Sequence, residues 1–526
     1  MQETTINVQL SYNKGYKWFT KDGIFVKGYL FTPDNQWLRG NDLIRYFQDV
    51  QYFTDFQQKL QQANGLFAVV IRKPDAVWAA IDHGRMFPLF YYHQNGIFAI
   101  TDHPKILQSD AIPLVMDENN ATFLCYSGFV PGDKTLLKDV FQLRAGECLC
   151  YENETVKKVY HAEFLTEHFF TESRQELKET LKAILDRVGQ RLVKILDGRP
   201  AVIPLSGGFD SRLLAWLLRK NNYPNVLCFT YGTQDTPERK NAQQTAVNLG
   251  LEWHCINYEN YFNYRFSEDA VFKEYVHFAA NYAHKFYMQE YFALRELLAL
   301  KKIPENAVFI SGHSGAIAGH LLKKSMMDAD FRYVEHALEE VFSFVYPRRK
   351  DRLLIRKEID FLNNYDQKYP SYLLYENWRF QETTTKVAIS SSKLWELHGY
   401  EFLHPLWDKE LYDFFVHLPL QHKYNKNLYM EALDELFEEF NISFRKDELY
   451  PSEKLIKKVS FRSKIKKRFT FLKYFVNPWK NDIQGTRFFT QEFVNELKAA
   501  KCYRKMLSVN GIYSAWYVLQ VKKDFL

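Results

Sequence analysis

No Cys-x-x-Cys pair occurs among the six cysteines, Cys125, Cys148, Cys150, Cys228, Cys255 and Cys502. That argues against a structural zinc site or a disulfide framework, and leaves most of the cysteines as small buried hydrophobes. No apolar run is long enough to span a bilayer, and Met1-Gln2-Glu3-Thr4-Thr5 lacks a signal-peptide pattern, so a cytoplasmic location is expected. Internal repeats and low-complexity linkers are absent. Net charge is modest, +6 over 526 residues. Hydrophobic residues make up 46% and charged residues 25%, an ordinary soluble balance, and the length suffices for two or three domains with sizeable cores.

The charge that is present is uneven. Lys457, Lys458, Arg462, Lys464, Lys466, Lys467 and Arg468 fall in a stretch without one acidic residue, interleaved with Leu455, Val459, Phe461, Ile465, Phe469 and Phe471. Such a run can meet nucleic acid, anionic lipid or a polyanionic substrate; a solvated face near a domain end is the more ordinary reading.

Residues 1–165 read mainly as strands with frequent turns: Ile24-Phe25-Val26, Leu66–Ile71, Val77–Ile81, Leu89–Tyr92 and Ile97–Ile100. Gln94-Asn95-Gly96 joins the last two as a hairpin. Near residue 170 the pattern changes. Ser173 and Glu176 form a capping box, and Leu177, Leu181, Ile184, Leu185, Val188, Leu192 and Ile195 keep helical spacing until Gly198. Strands then alternate with helices: Ala201–Leu205, Val226–Gly232, a helix over about 237–249, a strand around 253–257, and Ala307–Ile310. That alternation predicts a parallel sheet covered on both faces, with ligand beyond the strand C-terminal ends.

The most telling stretch is Ser206-Gly207-Gly208-Phe209-Asp210-Ser211, a glycine turn between strand and helix. Such a turn sets backbone N–H groups and the positive end of a helix dipole against an anion. Its glycines admit phosphate oxygens closely, Ser206 and Ser211 can donate hydroxyls, and Asp210 can hold Mg²⁺. No Lys-Ser/Thr pair follows, so this is not a Walker loop.

Together with five further segments, this turn resembles the asparagine synthetase family. Phe229-Thr230-Tyr231-Gly232 with Thr236–Ala242 is similar to the family's second strand, and Ile310-Ser311-Gly312-His313-Ser314-Gly315 to its Ser-Gly-Glu-Gly-x-Asp segment. Gly399–Asp408 resembles Gly-x-Glu-x-Arg-x-Pro-Phe-Leu-Asp, and Lys426-Asn427-Leu428-Tyr429-Met430 a Lys-x-x-Leu-Arg motif. Upstream, Asp82–Tyr92 resembles a segment of the family's glutaminase domain.

The resemblance implies an α/β protein: an N-terminal α+β glutaminase-like (Ntn-type) sandwich over 1–165, then an α/β ATP-pyrophosphatase domain with a parallel sheet over 166–450. A basic helical extension fills 451–526. It implies ATP and Mg²⁺ as cofactors, held by Leu205, Ser206, Gly207, Gly208, Asp210, Ser211, Thr230, Tyr231, Gly232, Ser311 and Gly312, with Asp210 as metal ligand. Lys426 is expected to be catalytic near the α-phosphate, where charge accumulates. His313 stands where the family has Glu and is expected to act as general base, with Glu401 orienting it. Tyr287 and Tyr291 fit an acceptor pocket or, at helical spacing, a core.

Three departures sharpen the expectation. Gln2 replaces the family's nucleophilic cysteine, and a carboxamide cannot attack glutamine. Val26-Lys27-Gly28-Tyr29 stands where the family has Asn-Gly-Glu. Ala316 replaces an Asp that helps bind Mg²⁺, with Asp328 or Asp330 as candidate substitutes. The expected activity is an ATP-dependent, AMP-forming amide ligase without glutaminase activity. Its partners would be small-molecule or peptide carboxylate and amine substrates rather than a membrane or nucleic acid. An ammonia-dependent asparagine synthetase, a catalytically degenerate partner subunit, a tRNA-modifying enzyme and a homodimeric assembly stay open alternatives.

Overall fold

A computed structural model describes residues 5–233, 236–313, 317–328, 330–359, 368–442 and 486–525. Gln2, Ser314, Gly315, Ala316 and the basic run 454–473 lie outside the described residues. Among the described residues no helix is long and apolar enough to cross a membrane, and all six cysteines are unpaired.

The protein is mixed α/β, and the described residues form three sheets. The largest is built antiparallel around Ile24–Phe31, Asn64–Arg72, Ala76–Ile81 and Glu147–Glu152. These strands are apolar on both faces because both are covered. Leu66, Ala68 and Val70 belong to the main core, whereas Phe67, Val69 and Ile71 meet Leu43, Ile44, Phe47, Phe56 and Leu60 of two helices, Asn41–Gln48 and Phe53–Gln62. The period of two along one strand thus serves two cores at once. The smaller sheet carries the expected hairpin, Phe90–Gln94 with Ile97–Thr101. Its turn residues Asn95 and Gly96 sit at φ 53° and 70°, as a tight primed turn requires.

The capping box forms as read: Ser173 and Glu176 each satisfy the other's backbone at the start of the helix Arg174–Leu196. Five parallel strands follow in the spatial order Glu252–Asn257, Val226–Gly232, Ala201–Pro204, Val308–Ile310, Glu401–Leu403. The chain starts in the middle, runs out to one edge and then returns to build the other side. The crevice at that reversal, between the C-terminal ends of Ala201–Pro204 and Val308–Ile310, is where such sheets bind ligands. The strand Glu401–Leu403 was legible only as a motif; three residues are too few for a periodicity signal.

The segment after that strand fastens the pieces together. Asp408 accepts a two-pronged pairing from Arg191 at 2.7 and 2.8 Å and a hydrogen bond from Asn64 at 3.0 Å. His83 meets the Trp407 carbonyl at 2.7 Å, and the Trp407 indole donates to the His313 carbonyl at 2.7 Å. A residue of the crevice is thereby tied to the antiparallel sheet. The helices Gln491–Ala499 and Val509–Asp524 lie against the body of the protein, with the Phe493 ring stacked on Trp516 at 4.1 Å and on Phe272 at 5.9 Å.

Candidate functional site

At the crevice lies a cavity of 320 Å³. Of the residues singled out in the sequence, Leu205, Ser206, Gly208, Asp210, Ser211, Thr230, Tyr231, Gly232, Ser311, Gly312 and His313 all line it. Three separate loops supply them because three neighbouring parallel strands end at the same level.

The turn's geometry follows from its residue types. No side chain caps the helix Phe209–Lys220, so its positive end faces the cavity. Inside the loop the Ser206 and Ser211 hydroxyls lie 3.0 Å apart, the Ser206 N–H donates to Ser211 Oγ, and the Gly208 N–H donates to Ser206 Oγ. The two serines thus pre-shape the loop. Gly207 leaves the lining and faces the neighbouring helix: a Cβ there would stand 2.7 Å from Glu238 Cα. Gly312 is needed for another close approach, since its Cβ would lie 2.9 Å from the Ser211 backbone nitrogen.

Thr230 contributes backbone only. Its hydroxyl donates to the Leu205 carbonyl at 2.6 Å and accepts from the Trp253 indole at 2.9 Å.

Asp210 and Lys426 come together from opposite ends of the α/β region. Lys426 Nζ lies 3.1 and 3.0 Å from the two carboxylate oxygens, and the Tyr429 hydroxyl donates to one of them at 3.0 Å. The pair is largely shielded, with 12% and 17% of the two side chains exposed. Burial and the adjacent carboxylate push the Tyr429 phenol well up, so it remains a donor. The donor set of Asp210, Ser206 and Ser211 is hard oxygen and fits a Mg²⁺ that takes most of its ligands from phosphates and water. Among the described residues no trio of His, Cys, Asp or Glu forms a protein-only metal site. Asp328 and Asp330 do not line the cavity.

His313 differs from expectation. Burial lowers its pKa from the ordinary value to about 4, so the ring is neutral at physiological pH. Its nitrogens are met by three hydroxyls: Tyr287 at 3.2 Å on Nε2, and Ser311 at 3.2 Å and Ser391 at 2.9 Å on Nδ1. The expected pairing with Glu401 does not form. Glu401 stands level with Val308, at the far end of the strand pair, whereas His313 lies beyond Ile310. Its carboxylate is bound instead by Arg39 at 2.7 Å and Arg199 at 2.6 Å.

Sequence reading missed the lining residues Gln289 and Glu290, and did not single out Glu238 and Arg239. Thr236–Ala242 was noted as a whole, and only the tertiary fold shows which of its side chains face the cavity. Tyr287 lines the cavity while Tyr291 is wholly buried, its hydroxyl bound to Asp269.

Sheet order, crevice and turn define a class: an α/β protein with an anion-receiving loop at its switch point. The asparagine synthase family model matches residues 183–271, the segment that contains this loop and the next two strands. Over that segment the chain is similar to the asparagine synthase family. No curated protein matches. Among solved structures, an NH3-dependent NAD synthetase from Campylobacter jejuni is 20% identical, with 38% of this chain and 95% of that one covered, at a TM-score of 0.21. A glutamine phosphoribosylpyrophosphate amidotransferase from B. subtilis is 10% identical, with 48% and 75% covered, at 0.19. An allosteric regulatory enzyme of purine biosynthesis is also 10% identical, with 45% of this chain and 62% of that one covered, at 0.19. Likenesses at these TM-scores carry no argument about function.

Proposed function

We propose that the protein is an ATP-dependent ligase that activates a carboxylate as its adenylate and passes the acyl group to an amine, without hydrolysing glutamine. The observation that carries the reading is the meeting of Lys426 with the first turn of the helix that opens the anion cradle. A cation there is placed for the charge that develops on a transferring phosphoryl group.

In this reading Leu205–Ser211 receive the phosphates, the backbone of Thr230–Gly232 holds the base, and Ser311-Gly312 close the cavity. Mg²⁺, held by Asp210 and the phosphates, supplies charge neutralisation when bound. A substrate carboxylate oxygen bonds to the α-phosphorus as the bond to the β-phosphate oxygen breaks, releasing pyrophosphate. The amine nitrogen then bonds to the acyl carbon, AMP leaves with the bridging oxygen, and the nitrogen gives up a proton. Lys426 is on hand in both steps because both concern the same phosphate.

The absence of glutaminase chemistry rests on Gln2 and on Lys27. Lys27 is buried, 3.0 Å from the Glu396 carboxylate, and donates to the Tyr12 carbonyl at 3.0 Å. The cavity beside it holds only 30 Å³, about one water and too little for an amino acid. In the proposed division, 1–165 is a non-hydrolysing scaffold, 166–450 the catalytic unit and 451–526 an extension. The test is pyrophosphate exchange into ATP, screened over amino-acid, peptide and sugar-acid carboxylates. Carboxylate-dependent exchange is expected; failure of the full-length protein to bind a Mg²⁺–ATP analogue overturns the reading.

A further inference from the structure

Glu290 is the unexplained group of the cavity. It is 3% exposed, and its Oε2 is buried without a hydrogen-bond partner. Leaving a buried carboxyl oxygen without a partner is destabilising, so it calls for a reason. A structural role does not supply one: Glu290 stands at the N-cap of the helix Tyr291–Ala299, yet its side chain caps no backbone N–H.

Its surroundings are aromatic rather than cationic. The side chains of Tyr231, Tyr258, Tyr275 and Tyr287 are close enough to feel its charge, and the Trp395 indole adjoins it. The tyrosine hydroxyls are largely spent elsewhere. Tyr258 donates to the Gln289 carbonyl, Tyr275 to the Tyr287 carbonyl, and Tyr287 to the Gln289 side chain at 2.7 Å. Burial raises the Glu290 carboxyl to about 8, with no cationic side chain acting against it. What the carboxyl lacks is a donor on Oε2, although Arg239 lines the same cavity. A buried carboxyl that lines a cavity and has an oxygen short of a donor is the chemistry that receives an ammonium group.

We propose that Glu290 receives the amine substrate of the ligase, binding a primary ammonium group and taking its proton as the nitrogen attacks. The proposal rests on the ligase reading for its chemistry but not for its binding test. The ammonium gives one proton to Glu290, which frees the lone pair that forms the C–N bond; the second proton leaves the nitrogen as the acyl C–O bond breaks and goes out with the AMP phosphate. With a pKa near the working range, the carboxyl suits that transfer.

The probe is ethylammonium chloride, titrated calorimetrically into the full-length protein holding Mg²⁺ and a non-hydrolysable ATP analogue, against sodium chloride at equal ionic strength. Wild type is expected to bind it, Glu290→Gln at least tenfold more weakly, and Glu290→Asp between the two. Equal affinity in wild type and Glu290→Gln, or none in wild type, overturns the proposal. So does a matching loss of affinity for the ATP analogue in Glu290→Gln, which would place the carboxyl on the ribose. In turnover, amide formed from ammonium per exchange event is expected to fall at least tenfold in Glu290→Gln. Hydroxylamine, already unprotonated at neutral pH, should recover most of that loss; an equal loss with both nucleophiles overturns the proton-acceptor role. Ethylammonium binding that depends on Glu290 in a protein without carboxylate-dependent exchange would sink the ligase reading alone.

Discussion

Lys426 Nζ lies 3.0 Å from a carboxylate oxygen of Asp210, a residue 216 positions earlier in the chain. The backbone that delivers it is unusual: Asn425 and Lys426 are both left-handed, at φ 54° and 58°. For side chains with a Cβ such conformations cost on the order of 1–3 kcal/mol each, and they persist where surrounding structure enforces them. The helix Asn427–Phe437 begins immediately afterwards and brings Tyr429 to the same carboxylate. Lys426→Asn suits the left-handed backbone while removing the charge. It is expected to lower pyrophosphate exchange at least ~100-fold, as is Asp210→Asn. Exchange within a few-fold of wild type in either variant refutes the assigned roles.

Gly312 and Gly208 make a matched pair for testing the cradle. A Cβ on Gly312 meets backbone, 2.9 Å from Ser211 N and 3.1 Å from Ser211 Cα. On Gly208 it meets only the rotatable Ser206 hydroxyl, at 3.1 Å. Gly312→Ala must therefore push the loop itself, and its affinity for an ATP analogue should fall at least tenfold, about 1.4 kcal/mol. Gly208→Ala should lose clearly less. Calorimetry in Mg²⁺ measures both; the reverse ranking would mean that the ligand does not sit against Ser211.

What could be read beforehand was whatever local chemistry dictates. The Ser173–Glu176 box, the Asn95-Gly96 turn and the strand–turn–helix at 201–220 each depend on neighbours within a few residues. Lys426 was legible from motif order, yet its pairing with Asp210 was not. Glu401 was misjudged because its role was carried over from the motif that Gly399–Asp408 resembles, while the parallel register places it at the opposite end of the sheet. Glu290 left no trace, since having no partner is a property of the folded surroundings.

The Glu401 correction has a measurable consequence. Its carboxylate holds Arg39 from the antiparallel sheet and Arg199 from the turn that precedes the central strand. Glu401→Gln leaves two guanidinium groups short of a partner, at a cost of about 1–2 kcal/mol for partly exposed pairs. Urea denaturation should show that loss while the rate of exchange stays within twofold. A large loss of rate with stability intact would restore the catalytic assignment.

Glutamine should be inert. Glu396 is shared by Lys27 at 3.0 Å and Lys393 at 2.5 Å, so the segment Val26–Tyr29 carries a buried cation already paired within the protein. A glutamate-release assay is expected to read background at any glutamine concentration, with and without ATP. Steady release would show that another nucleophile has taken over.

His313 provides a test through acid stability. Burial holds its folded pKa at about 4, against roughly 6.5 for an unfolded histidine. Between those values the unfolded chain binds more protons than the folded one, so this residue's contribution is full near neutrality and is lost as pH falls through the window. The loss approaches roughly 3 kcal/mol at its lower end. His83 and His161, lowered to about 3 and about 4, act in the same direction, while Asp82 and Glu376, both raised to about 7, act oppositely. The total curve therefore cannot isolate one group, but a difference can. His313→Gln does not titrate, so wild-type stability minus variant stability should decline steadily from pH 7 to pH 4 in urea melts. A flat difference would mean that the ring is solvated or ion-paired, and the neutral imidazole held by Tyr287, Ser311 and Ser391 would have to be abandoned.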